Sequence, residues 1–239
     1  MKYMGSKARH AKELLPIILK DRKPGQWYVE PFVGGANMID KVDGNRIGAD
    51  IHPHLICLLD AVAKGWIPPE SVSEEEYNEL NKKRSITPET GAAGFGSSFG
   101  GKFFSGYARG KNSSGNWRNY ASETKRNLLK QAPNLKGIMF LCSPYQQLVV
   151  PPNSIIYCDP PYEGTTKYAT GGFDHAAFWQ WCRDKVAEDH QVFVSEYNAP
   201  DDWVCVWEKK VSVNLDSNRN GASERIEKLF VHESRYKVE

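Results

Sequence analysis

Several familiar signatures are missing from this chain, and each absence removes a class of protein. There is no G-x-G-x-x-G, so the dinucleotide fingerprint is excluded. There is no C-x-x-C, and the five cysteines (57, 142, 158, 182 and 205) are odd in number, which argues against a disulfide framework. They read as reduced, mostly buried thiols of a cytosolic protein. Charge of one sign is not in excess: 31 basic against 29 acidic residues leave a net charge of +2, so no global polycation argument for nucleic acid is available. No apolar run approaches the ~20 residues of a membrane-spanning helix. Met1 to Arg9 is polar and basic without an apolar core, so no secretory leader is expected. His52 and His54 lack a third partner at ligand-like spacing and read as structural or solvent-facing, so no metal is expected. No internal repeat is present. What remains, 239 residues with 40% hydrophobic content, suits one α/β domain with a smaller appendage.

Strand and helix signals alternate along that length, which predicts a largely parallel sheet covered on both faces. Ala8, Ala11, Leu14, Leu15, Ile18 and Leu19 keep helical spacing, interrupted at Pro16, and predict a kinked or split helix. Leu55, Leu58, Leu59 and Val62 form the stripe of another helix, and Ser73 with Glu76 is a capping-box pattern. Further strands are expected at 137–142 and 191–195, a helix at about 174–188, and a closing antiparallel pair at 204–213 and 226–232.

Three strand ends carry the chemistry. The apolar run Ser154–Cys158 stops at Asp159-Pro160-Pro161-Tyr162, where neither proline can donate to a sheet ladder. Asp159 and Tyr162 are thereby presented at the carboxyl edge of a sheet, where open α/β sheets place ligand crevices. A carboxylate there, with nearby free carbonyls, can accept both hydrogens of an exocyclic amine, and the ring can stack on its base. Upstream, Trp27-Tyr28-Val29-Glu30 runs into Pro31-Phe32-Val33-Gly34-Gly35, a glycine turn that lets a bulky ligand approach the backbone. The strand Arg46–Ala49 ends in Asp50, about twenty residues after the first strand, the spacing of an acid that binds ribose hydroxyls. An acid before the turn and no base within it suit a cationic, hydroxyl-rich ligand better than a pyrophosphate. S-adenosylmethionine fits, with its ammonium, ribose and sulfonium.

Composition breaks between about Trp66 and Asn134. Residues 94–107 interleave glycine with aromatics around Lys102, and Arg109, Lys111, Arg118, Lys125 and Arg126 follow, with Glu123 the only acid from 102 to 131. Cations for phosphates beside rings for the gap left by a displaced base describe a duplex-binding surface. The competing reading is a solvated basic face on a flexible glycine-rich loop.

Four blocks in order, Lys2-Tyr3-Met4-Gly5-Ser6-Lys7, Val29–Gly35, Asp50-Ile51-His52 and Asp159-Pro160-Pro161-Tyr162, resemble the Dam-type (α-group) DNA adenine N6-methyltransferases. A looser match covers Asp216 to Phe230. The resemblance implies a Rossmann-like methyltransferase domain over 1–65 and 137–239 with a target-recognition region inserted at 66–136. It implies S-adenosylmethionine as cofactor, duplex DNA as partner, no metal, a monomer, and the cytoplasm of a bacterial or phage-infected cell. Carried over by position, Asp159 and the Pro160 carbonyl accept the N6 hydrogens and Tyr162 stacks on the flipped base. Tyr3, Lys7, Glu30, Phe32, Gly34, Gly35, Asp50 and Asp159 hold the cofactor, Lys7 at its carboxylate and Glu30 at its ammonium. Tyr145 is expected beside the cofactor's adenine, and Asn218, Arg219 and Asn220 near DNA phosphates. The departures are Ala36, where the family usually has glycine and where a positive φ is strained, and Tyr3, where enterobacterial relatives carry tryptophan. The insert is shorter than in GATC-reading relatives and glycine-rich, which predicts relaxed specificity and phosphate positioning rather than base reading. Amino methylation of RNA or of cytosine N4, and a non-catalytic protein of the same fold, are the alternatives.

Overall fold

A computed structural model describes residues 1–164, 172–213 and 223–236, so Asp216, Asn218, Arg219 and Asn220 lie outside the described residues. In chain order the elements are α1 (Ala11–Ile18), β1 (Tyr28–Glu30), β2 (Arg46–Asp50), α2 (Pro53–Ala63), α3 (Glu74–Lys83), α4 (Pro88–Gly91), α5 (Tyr120–Leu135), β3 (Ile138–Cys142), β4 (Ile155–Cys158), α6 (His175–Ala187), β5 (Gln191–Glu196), β6 (Trp203–Val213) and β7 (Ser223–His232). Most of the expected elements form within a residue or two of their predicted bounds. Two compact units result: Met1–Lys12 with Pro31–Leu148, and Glu13–Glu30 with Val149–Glu239.

In the first unit β2 and β3 pair in parallel, from Arg46 opposite Ile138 to Asp50 opposite Cys142. Parallel pairing demands a long crossover, here α2 to α5. Helix α2 begins with Pro53 in its first turn, where a missing N–H leaves no bond unmade, and buries Leu55, Leu58, Leu59 and Val62. Both bonds of the α3 capping box form: Ser73 Oγ accepts from Glu76 N at 3.1 Å, and Glu76 Oε2 from Ser73 N at 2.7 Å. The 16-residue helix α5 was not foreseen. Its buried positions are Ala121, Leu128, Gln131 and Leu135, so a glutamine interrupts the apolar stripe and periodicity fails to register it.

In the second unit the strand order is β1-β4-β5-β7-β6, with β1, β4 and β5 parallel. Strands β7 and β6 are antiparallel, as expected for the closing pair. Every residue of β4 is buried, which explains its unbroken apolar run. α6, capped by Asp174 accepting from Ala177 N at 2.9 Å, is the crossover from β4 to β5.

Two expectations change. The break in the first helical segment falls at His10, between the 3-10 turn Lys7–Arg9 and α1, while Pro16 stays inside α1. The cysteines are all free, yet only Cys158 and Cys182 are buried, whereas Cys142 and Cys205 are exposed. Both exposed thiols sit on strands with an open face, a placement that composition alone does not convey.

Candidate functional site

Strand β4 delivers its chain to the carboxyl edge fully buried, and Asp159 is the first residue to leave the ladder. Pro160 and Pro161 prevent the chain from continuing the pairing. Tyr162 follows, buried rather than presented to solvent. Its ring meets Tyr197 edge-on at 4.6 Å, and its hydroxyl donates to Glu227 Oε2 at 2.9 Å. Burial, then the charges of Asp159 and Glu227, push the phenol well above its ordinary range, so it remains a donor. Arg225 Nη1 in turn donates to Tyr197 Oη at 3.0 Å and its guanidinium stands 5.4 Å from that ring. Beneath, Tyr157 is buried on β4 and shares a 2.8 Å hydrogen bond with Ser195.

A further carboxylate closes this edge. Glu196, the last residue of β5, is only 2% exposed and accepts from Tyr197 N at 2.7 Å and Glu163 N at 3.1 Å. Burial, aided by the like charges of Asp159 and Glu163, raises its carboxyl to about 7. Sequence reasoning missed Glu196, Tyr197, Arg225 and the Glu227–Tyr162 bond. The sole available signal for Glu196 was an acid at the end of a β-rich run, the same signal that drew attention to Asp159. In the same unit Glu30 is buried at the end of β1 and accepts from Tyr28 Oη at 2.9 Å.

In the first unit, the glycine turn is shaped by Tyr3. Gly34 has φ +46°, and a Cβ there would stand 2.9 Å from Tyr3 Cε1; one on Gly35 would stand 2.6 Å from Asn37 Nδ2 and 2.8 Å from Tyr3 Cβ. Glycine is therefore demanded by a protein ring as well as suited to ligand approach. Ala36 adopts φ 55°, a left-handed conformation that is strained for a residue with a side chain. Gln131 of α5 holds this turn, donating through Nε2 to the carbonyls of Ala36 at 2.9 Å and Gly35 at 3.1 Å. Asp50 Oδ2 accepts from Gly34 N at 3.2 Å and Oδ1 from His52 N at 2.9 Å. Burial outweighs these donors and raises its carboxyl to about 6. Phe32 and Tyr145 come together with rings 5.4 Å apart. Lys7 opens the short 3-10 turn after Ser6. His52 lies among Phe95 and Phe103, its imidazole held neutral by burial, and His54 Nε2 lies 3.0 Å from the Arg84 carbonyl.

The basic segment is less naked than its composition implied. Arg109 pairs with Glu74, Arg118 forms a bidentate bridge to Glu123 at 2.8 and 2.5 Å, and Lys125 reaches Glu70 at 3.0 Å. Arg118 also stacks 4.6 Å from the Tyr120 ring. Glu70 and Glu74 come from the start of the insert, so counting acids only from 102 to 131 missed them. Among the described residues Lys102, Lys111 and Arg126 make no ion pair, and Lys111 lies 5.1 Å from Trp117, which is 72% exposed. The insert also contains α3, α4 and α5, so rigid elements are not scarce in it.

The family model for D12 class N6 adenine-specific DNA methyltransferases matches residues 3–90 and 94–239 of this chain. Two curated relatives, DNA adenine methylases of Vibrio cholerae serotype O1 strains O395 and N16961, are 27% identical over 193 residues, covering 70% of this chain and 70% of each relative.

Proposed function

From a chain that belongs to the D12 class N6 adenine-specific DNA methyltransferases, and therefore methylates the N6 amino group of adenine in DNA, we infer that the donor is S-adenosylmethionine and the substrate duplex DNA with its target adenine flipped out. The observation that carries the residue assignment is Asp159 leaving a wholly buried β4, followed by a tyrosine locked by Glu227 and Tyr197.

The adenine amine is a poor nucleophile because its lone pair is delocalised into the ring. Asp159 and the Pro160 carbonyl, by accepting its hydrogens, favour a pyramidal nitrogen with a localised pair. Tyr162 supplies a ring face for the base, its hydroxyl tethered by Glu227. Unstacking the base from the duplex takes a few kcal/mol, which these contacts offset. Catalysis by these residues is chiefly positioning.

The donor set suits the cofactor. Asp50 meets only backbone N–H groups among the described interactions, those of Gly34, His52 and Ile51, which leaves lone pairs for ribose hydroxyls. In this reading Phe32 and Tyr145 flank the cofactor's adenine, Lys7 faces its carboxylate, Glu30 its ammonium, and Tyr3 supports the Gly34–Gly35 turn. S-adenosylmethionine, when bound, supplies an electrophilic methyl on sulfonium. Residues 66–136 form the target-recognition region, with Lys102, Lys111 and Arg126 on phosphates; Arg109, Arg118 and Lys125 join them by exchanging carboxylate partners. The protein acts as a monomer in the cytoplasm of a bacterial or phage-infected cell.

Incubation with methyl-labelled S-adenosylmethionine and duplex DNA, followed by digestion to nucleosides, tests this. Label in N6-methyldeoxyadenosine is the expected outcome. Transfer only to single strands would overturn the flipping scheme, and failure of S-adenosylmethionine to donate would overturn the cofactor assignment.

A further inference from the structure

Methylation of a neutral amine leaves a proton to be removed, and the residues assigned above do not account for it. The nitrogen lone pair forms the new N–C bond while the donor keeps the pair of its broken S–C bond, and N6 would be left with one positive charge unless an N–H bond breaks in the same step. A neutral product requires one N–H bond to break with its electrons returning to nitrogen. Asp159, as a hydrogen-bond acceptor, orients that N–H.

Glu196 is placed to serve this need. Strands β4 and β5 run in parallel with Cys158 opposite Val194, so the two carboxylates leave neighbouring strands at the same edge. Glu196 is 2% exposed, and its two described hydrogen bonds come from uncharged backbone donors. Its Cα partner on β7 is Lys228, yet no ion pair joins them among the described residues. A buried carboxylate without a counter-ion is destabilising, and an amide or hydroxyl could have accepted a backbone N–H without that penalty. The two residues whose N–H groups it accepts, Glu163 and Tyr197, line a cleft of about 370 Å³ together with Gly164, Asn198, Arg225 and Lys228.

We propose that Glu196 is the final acceptor of the proton lost by N6, and that it releases this proton to solvent through the adjoining cleft. The N–H bond breaks, an O–H bond forms on Glu196, and the carboxylate is regenerated when that proton departs. The titratable and charged groups around it are Asp159 and Glu163 after β4, Tyr197 next to it in the chain, and Lys228, its register partner on β7. Burial and the two nearby acids make Glu196 half-protonated at about pH 7, so it accepts above that pH and is blocked below it. This inference rests on Asp159 holding N6.

Two measurements on the unaltered protein test it. Single-turnover methyl transfer, at saturating S-adenosylmethionine and duplex DNA, should fall about tenfold per pH unit below a midpoint near 7. The carboxyl carbon of Glu196, followed by NMR in ¹³C-labelled protein, should titrate at that same midpoint. Glu196→Gln should slow transfer by about 10²–10⁴-fold and abolish the acid limb while cofactor affinity by calorimetry stays within error. A role confined to structure would leave the limb in place. An unmoved limb in Glu196→Gln, or a Glu196 resonance titrating in the ordinary carboxylate range, overturns the proposal. Should Asp159→Ala retain transfer, the Asp159 assignment fails, whereas the Glu196 titration is read independently in the free protein.

Discussion

Asp159 and Asp50 are both strand-end carboxylates, yet their surroundings ask different things of them. Asp159→Ala removes an acceptor aimed at the reacting amine, so methyl transfer should drop by at least about 10²–10³-fold, the scale of losing one transition-state hydrogen-bond partner. The fold should survive because the residue has already left the β4 ladder, and circular dichroism with single-turnover assays checks both points. Near-normal turnover in a folded variant would falsify the assigned chemistry. Asp50→Ala should instead weaken S-adenosylmethionine binding by roughly 1.5–3 kcal/mol with little effect on transfer at saturation, measured by calorimetry. Because the Asp50 carboxyl is raised to about 6, affinity should decline as pH falls through that value and the acceptor becomes protonated. Stability has the opposite sign. A folded pKa above the usual 3.8 stabilises the protein most at acid pH and loses that contribution as pH rises through about 6. Asp50→Ala should therefore gain on the parent protein in urea denaturation across that window.

At the scale of elements, the turn after β1 shows how a short motif depends on distant support. Tyr3 covers it, Gln131 of α5 binds two of its carbonyls, and Ala36 completes it in a conformation suited to glycine. Left-handed backbone is disfavoured for alanine by about 1–2 kcal/mol. Ala36→Gly should thus raise stability by about 1 kcal/mol after the added unfolded-state entropy is subtracted, detectable by denaturant titration. Gly35→Ala should do the reverse, since its Cβ meets Asn37 and Tyr3 well inside contact distance. The capping box of α3 was readable from four residues, because capping is a local bond. Helix α5 was not, because its buried face includes Gln131, whose polarity makes sense only once the carbonyls of Gly35 and Ala36 are brought to it.

For the whole molecule, a net charge of +2 leaves DNA affinity to local arrangement rather than to a general field. Arg109, Arg118 and Lys125 are already paired with carboxylates, and a paired cation that binds a phosphate must give up its partner. Each carboxylate so released takes up a counter-ion of its own, so the slope of log affinity against log salt should be about −2.7, about 0.9 in magnitude for each of Lys102, Lys111 and Arg126, rather than near the value for all six cations. Lys111→Ala should flatten it by about 0.9, whereas Arg118→Ala should flatten it less. Filter binding across a salt series distinguishes the two. Helices α3 and α5 give the insert more rigid framework than its glycine content implied, which weakens the basis for expecting relaxed specificity. Sequencing the methylated adenines on mixed-sequence DNA decides this: confinement to one four-base site would refute the relaxed reading.

The succession of strands along the chain, the acids Glu30, Asp50 and Asp159 at the ends of three of them, the glycine turn and the Asp-Pro-Pro-Tyr corner were determined by the sequence alone. They are local consequences of where apolar runs stop and where backbone donors or Cβ atoms are missing. Tertiary structure decided what those residues meet. It joined Tyr162 to Glu227, set Glu196 beside Asp159 in a buried edge, and brought Glu70 and Glu74 to cations more than thirty residues away. Hydrogen bonding and ionisation depend on partners and on exclusion of water, and both arise only when distant segments pack together.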